Sequence, residues 1–170
     1  MMARMETICA RVAVLAVALM MMAGTTAHGW DDRTKALYDS MMSVADEIIA
    51  RAAPTDAQGP EMIAGGEAWL AGWESGETRV AGIAREEGGT YRAFYIETTD
   101  AALSFYEGVR VGGDVGSLEG HLGVPLDQLG PEGDGTIDIW EDEDVEMGPY
   151  VRIGYEGGKI VSLAAEDVLP

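Results

Sequence analysis

The sequence predicts an α+β fold: an N-terminal helix packed on an antiparallel sheet, with a short helix inserted between strands. Three observations carry this expectation. Leu37, Met41, Val44, Ile48 and Ala52 recur at spacings of three and four, which gives one apolar stripe on a helix. Strand-like runs come in pairs joined by glycine-bearing connections, Glu86-Glu87-Gly88-Gly89 and Glu156-Gly157-Gly158, the chemistry of hairpins. Between the pairs, Asp114 to Leu122 has the marks of a short capped helix. Hairpin strands with helices grouped beside them are the α+β pattern.

The elements follow in order. The chain starts with Arg4 and Arg11, an apolar run of 12 residues from Val12 to Ala23, and then Gly24-Thr25-Thr26-Ala27. A basic start, a short apolar core and a small-residue exit form a secretory signal peptide, and the run is too short to span a bilayer. Residues 1–27 are therefore expected to be removed near Ala27, leaving 28–170 as a single exported domain, periplasmic or secreted. Cys9, the one cysteine, leaves with the peptide, so no lipid anchor or disulfide is expected in the mature chain.

Asp31 to Ala52 is the first helix, with acids at its start, Arg51 at its end and Pro54 as its stop. Residues 53–60 read as a loop because Pro54, Asp56, Gly59 and Pro60 all break regular structure. Met62, Trp69, Leu70 and Trp73 have rough helical spacing, so Glu61–Trp73 is expected as a second, shorter helix weakened by Gly65-Gly66. Strands are expected over Thr78–Arg85, Thr90–Thr98, Ala102–Glu107, Thr136–Trp140, Tyr150–Tyr155 and Lys159–Ala164.

The charge excludes several functions. The 170 residues hold 11 basic and 30 acidic side chains, a net charge of −19. Without residues 1–27 the balance is 9 against 29, or −20. Nucleic-acid binding needs clustered Lys and Arg, and docking on anionic lipid needs the same.

The most informative stretch is Gly108-Val109-Arg110-Val111-Gly112-Gly113-Asp114, followed by Val115, Leu118 and Leu122 on one helical face and closed by Gly123 and Pro125. Asp114 can cap the helix and Gly123 can end it. From about Phe105 to Ala164, including the closing pair of strands, this pattern resembles small exported modules of bacterial envelopes, the SmpA/OmlA-type assembly lipoproteins and the β-lactamase-inhibitor-like repeats. The resemblance implies a protein-binding rather than a catalytic role. The chain departs from the SmpA/OmlA type in lacking a cysteine to acylate, and Gly116 and Gly120 weaken its helix.

Other chemistries rest on thinner patterns. His28 would become the N-terminal residue, offering an amine and an imidazole to copper as in a histidine brace, with His121 as the one other histidine. Ser117 lies four residues before His121, the spacing of one helical turn; a nucleophile there needs a third, orienting group. The stretch Glu132 to Glu141 resembles half of a calcium loop, with Asp134, Asp138 and Glu141 as candidate oxygen ligands, but Gly130 stands where the first carboxylate belongs. Asp138, Glu141, Asp142, Glu143, Asp144 and Glu146 put six acids into nine residues, either a solvated loop or a docking patch for a basic partner. Trp69, Trp73, Tyr91, Phe94, Tyr95, Phe105 and Tyr106 are expected in the core. No cofactor is implied.

The function expected is a non-enzymatic exported protein-binding or envelope-assembly module with a basic or envelope protein as partner. Two alternatives stand beside it: a metal-binding protein using His28 or the acids of 132–146, and a small envelope-polymer hydrolase built on a pair of perturbed carboxylates.

Overall fold

A computed structural model describes residues 27–29, 31–63, 66–122, 135–140 and 148–168. Asp31 starts the first helix, α1 (Asp32–Arg51): its carboxylate accepts from the N–H groups of Arg33 and Thr34 at 3.0 and 2.8 Å. Those are donors a helix cannot satisfy itself. Leu37, Met41 and Ala45 are fully buried along one stripe, with Val44, Ile48 and Ile49 packed at its flank. Ala52 caps the end in an extended conformation.

The strands are β1 (Ala27–Gly29), β2 (Asp56–Ile63), β3 (Gly66–Ser75), β4 (Thr78–Ala84), β5 (Arg92–Thr98), β6 (Gly135–Trp140), β7 (Tyr150–Glu156) and β8 (Lys159–Glu166). They form one sheet in the order β1-β6-β7-β8-β5-β4-β3-β2. Seven strands are antiparallel to their neighbours, and β1 is added in parallel at the outer edge of β6. The fold is the expected α+β arrangement. Among the described residues, no helix is long and apolar enough to cross a membrane.

One face of the sheet carries the core. Ile139, Val151, Ala165, Ile96, Val80 and Trp73 stand in register across six strands, and all are buried. Helix α1 lies over them: the Trp73 indole N–H donates to the Ala52 carbonyl at 3.0 Å. The approach is close enough to need a glycine, since a Cβ on Gly82 would sit 2.9 Å from both Ile49 and Trp73. The helix also stabilises an irregularity. Ala81 pairs with Tyr95 but Gly82 pairs with Ala93, so Phe94 is an extra residue in β5, and the Asp46 carboxylate accepts the N–H of Ala93 at 2.9 Å.

The short helix α2 (Leu118–Leu122) follows a 3-10 turn over Val115–Ser117. Leu118, Leu122 and Val115 join the same core. Asp114 caps the turn by accepting from Gly116 N–H at 2.9 Å. Backbone bonds between Gly112, Gly113 and Ile160, and from Val115 to Gly158, tie this segment to the β7–β8 hairpin. The Asp114 pKa is lowered, first by the Gly116 amide and then by Lys159. A depressed carboxyl stabilises the fold above its unfolded pKa, and that contribution is lost as pH falls through the folded value. Acidification below the usual carboxylate range is therefore expected to lower the protection factor of the Gly116 amide, relative to its intrinsic rate at the same pH, ahead of the α1 stripe. Simultaneous exchange at both would contradict this.

Three expectations are corrected. The described part of 61–73 is not a helix: 61–63 end β2 and 66–73 belong to β3. Gly66 has φ +110° and pairs with Ile63. The loop expected over 53–60 is shortened, because β2 already begins at Asp56. Ala102–Glu107 is not a strand. The Asp100 side chain accepts from Ala102 N–H at 2.8 Å and its carbonyl accepts from Leu103 N–H, a local turn that competes with sheet pairing. A 3-10 turn, Tyr106–Gly108, follows with Glu107 at φ 52°. Strand β1 was not anticipated; three residues give no readable period.

Candidate functional site

The two described helices share one face of the sheet, and the opposite face carries a different chemistry. Asp138 is paired with Arg152, Arg152 with Ala164, Ala164 with Glu97, Glu97 with Arg79 and Arg79 with Glu74. Directly opposed residues share a face. The result is a row across six strands that alternates acid and base, interrupted once by an alanine. The next row runs through Tyr150, Glu166, Tyr95 and Ala81 in the same registers, with Trp140 in register beside Tyr150.

The β6–β7 end of the row is buried. Arg152 donates from Nε and Nη2 to the two carboxylate oxygens of Asp138, each at 2.6 Å. Their side chains are 14% and 5% exposed. This two-point fork is the strong form of an ion pair. The Arg152 guanidinium is raised above its already high ordinary pKa, chiefly by the hydrogen bond to Asp138, and it stands 5.4 Å from the Tyr150 ring centroid. The Tyr150 hydroxyl donates to Glu166 Oε2 at 2.7 Å. Tyr95 shares the face with Glu97, two residues along β5. The far end, Arg79 and Glu74, is exposed. Between Arg152 and Glu97, Ala164 is buried and is the uncharged member of the row.

Burial, followed by neighbouring acids, raises the pKa of Tyr95 and of Tyr150; burial and Asp167 do the same for Tyr38 on α1. For a raised pKa, the stabilisation is complete below the unfolded value and is lost as pH rises through the folded one. Above the ordinary tyrosine value of 10.0, these hydroxyls are expected to ionise only as the protein unfolds. An alkaline absorbance titration beside circular dichroism checks this; six tyrosines titrating normally in a folded protein would refute it.

The residues singled out from sequence fall apart in space. Asp138 belongs to the row above and gives both carboxylate oxygens to Arg152. His28 is in β1, in register with Ile139. Asp134, Glu141, Asp142, Glu143, Asp144 and Glu146 lie outside the described residues. Among the described residues, no three His, Cys, Asp or Glu side chains converge as a metal would require. His121 has an orienting partner, with Nδ1 3.4 Å from Glu107, but Ser117 Oγ donates to the Asp114 carbonyl at 2.7 Å. The Ser117 hydroxyl therefore serves the helix cap and not His121.

Of the aromatics expected in the core, Trp73 and Phe105 are buried, and Tyr91 and Tyr106 pack against it. Tyr95 is on the other face, and Phe94 is the bulge residue. Arg152, Glu97, Arg79, Glu166 and Tyr150 were not anticipated as a site. A signal was present: Asp138, Arg152 and Glu97 each sit between two residues that face the core, Ile137 and Ile139, Val151 and Ile153, Ile96 and Thr98. Alternation alone puts such charges on the opposite face; only register puts them in one row.

Among the described residues, fold and site together define a class: an α+β protein with helices on one sheet face and a polar, tyrosine-bearing opposite face. Comparison with protein-family models, curated proteins and solved structures finds no match to this chain.

Proposed function

We propose that this chain is an exported, non-enzymatic protein-binding or assembly module of a bacterial envelope, which meets its partner through the sheet face opposite α1. The observation that carries the proposal is the row Asp138–Arg152–Ala164–Glu97–Arg79–Glu74. At its β6–β7 end the Asp138–Arg152 pair and the Tyr150–Glu166 bond are formed before any partner arrives. Preorganised Arg and Tyr groups are what recognition surfaces concentrate, because little conformational freedom remains to be lost. The Tyr150 hydroxyl donates to Glu166 and Arg152 is held by Asp138 at the buried end, so the charge open to a partner is that of Arg79 and Glu74 at the exposed end.

The net charge of −19 favours a partner with a basic surface, since complementary potentials speed encounter and set register. The signal-peptide pattern of residues 1–27 and the resemblance of 105–164 to exported envelope modules support the location. Cleavage near Ala27 would leave His28 and Gly29 beside β6.

Capture from an envelope extract tests the proposal. Wild-type protein is expected to retain one stoichiometric partner at high salt. Arg79→Glu combined with Glu97→Lys is expected to lose it, and Glu47→Gln on the exposed side of α1 to keep it. A partner set that vanishes with salt, or that ignores the Arg79/Glu97 variant, would contradict the proposal. N-terminal sequencing of the exported protein is expected to begin at His28; an intact Met1 would contradict export.

A further inference from the structure

The two ends of the sheet are built differently. At one end stands β2, whose pairing with β3 shifts register between Gln58 and Glu61. The interruption holds Pro60, which has no N–H to offer, and Asp56, Pro60, Glu61 and Met62 are exposed. Irregular pairing, proline and charge are devices that keep an open edge from recruiting another strand. At the other end β6 lacks them. Its six residues, Gly135–Trp140, pair with β7 in unbroken register. It contains no proline, and its one charge, Asp138, is committed to Arg152. What covers its outer side is β1.

That cover is slight. β1 has three residues, runs parallel to β6, and sets Ala27, His28 and Gly29 against Asp138, Ile139 and Trp140. Three residues form few ladder bonds, each modest in net effect, against the entropy of fixing their backbone. Parallel pairing is also the weaker kind. By contrast, Ile137, Asp138 and Ile139 are buried, as in an interior strand. A well-ordered template thus carries a weakly held strand. That strand is small at alternate positions: Ala27 and Gly29 are in register with Asp138 and Trp140, on the side of the face opposite α1.

We infer that the outer edge of β6 is a strand-acceptor site: an extended, small-residue segment of the partner displaces β1 and runs parallel to β6. Strand addition of this kind takes affinity from main-chain bonds and specificity from alternate side chains. A strand added here is continuous with the polar face on which Asp138 and Arg152 stand. Cleavage near Ala27 would remove the residue opposite Asp138 and leave β1 shorter still. For its partner the inference rests on the function proposed above; the acceptor edge itself does not.

His28→Pro with Gly29→Pro in the full chain deletes two N–H donors of β1. This variant, isotope-labelled, is expected to bind the peptide Gly-Thr-Thr-Ala-His-Gly-Trp, the sequence of residues 24–30. The amides of Asp138, Ile139 and Trp140 are expected to shift along one saturable curve. Wild type, whose own β1 competes, is expected to bind about tenfold more weakly. The same peptide with proline in place of its histidine and second glycine is expected to leave both proteins unmoved. Gly29→Pro alone is the second variant if the double change disturbs folding, and its affinity is expected to lie between. In capture from an envelope extract, excess peptide is expected to release the stoichiometric partner. A folded variant with no saturable shift, affinity equal to wild type, equal shifts with the proline peptide, or a partner unmoved by excess peptide would overturn the inference. Capture of no partner at all would instead contradict the proposed function, and the titration would still decide the edge.

Discussion

Replacing Asp138 with alanine is expected to cost about 3 kcal/mol of stability, the lower end of what breaking a buried ion pair costs. The carboxylate itself is not the main term. Its removal leaves the Arg152 guanidinium, whose side chain is 14% exposed, without either of its two acceptors. The remaining strip of solvent contact is why the lower end applies. Removing both partners relieves that penalty, so Asp138→Leu with Arg152→Met is expected to recover most of the loss. Urea midpoints read the effect, with an unchanged slope showing that stability rather than denatured-state compactness has moved. If Asp138→Ala were no weaker than the double variant, the pair would not be the closed unit described here.

Replacing Trp73 with alanine is expected to cost about 3–5 kcal/mol, the usual range for deleting a buried aromatic ring. For a domain of this size that lowers Tm by roughly 10 °C. Trp73 is 2% exposed and joins three elements. Its N–H bonds the carbonyl at the end of α1, its ring meets Tyr91 edge-on at 5.3 Å, and it fills the space above Gly82. Trp73→Phe keeps most of the ring contacts and loses the N–H, so about 1 kcal/mol is expected to separate it from wild type beyond the loss of volume. Equal losses for the two variants would put the stabilisation in the hydrogen bond rather than the packing.

Periodicity made the framework legible. The stripe beginning at Leu37 identified α1, and the Glu-Gly-Gly connections identified the β4–β5 and β7–β8 hairpins. These signals are local, and the structure keeps them because their apolar faces meet one core. The β2–β3 hairpin was hidden because Trp69, Leu70 and Trp73 imitate a helical spacing; residue-by-residue pairing of β3 with β4 overrides that weak preference. Asp100 hid the turn after β5, since its effect depends on a side-chain bond that composition does not show.

The site was less legible for a related reason. Asp138 was visible as one member of an acidic run, and its neighbours in sequence suggested a solvated patch. Its partner in space is Arg152, 14 positions along the chain. The row is assembled by five strand registers, and a shift of one residue in any of them would send part of it to the core face. Long-range register is what a single sequence states least directly.

The most direct measurement of the binding-face proposal is site-specific photo-cross-linking in intact cells. A photoreactive residue would be placed in turn at Arg79 and Glu74, the exposed end of the row, and at Asp39 and Glu47 on the outer side of α1. The account predicts a discrete adduct of one size from positions 79 and 74 and none from 39 and 47. Adducts confined to the helix positions, or the same diffuse products from all four, would contradict it.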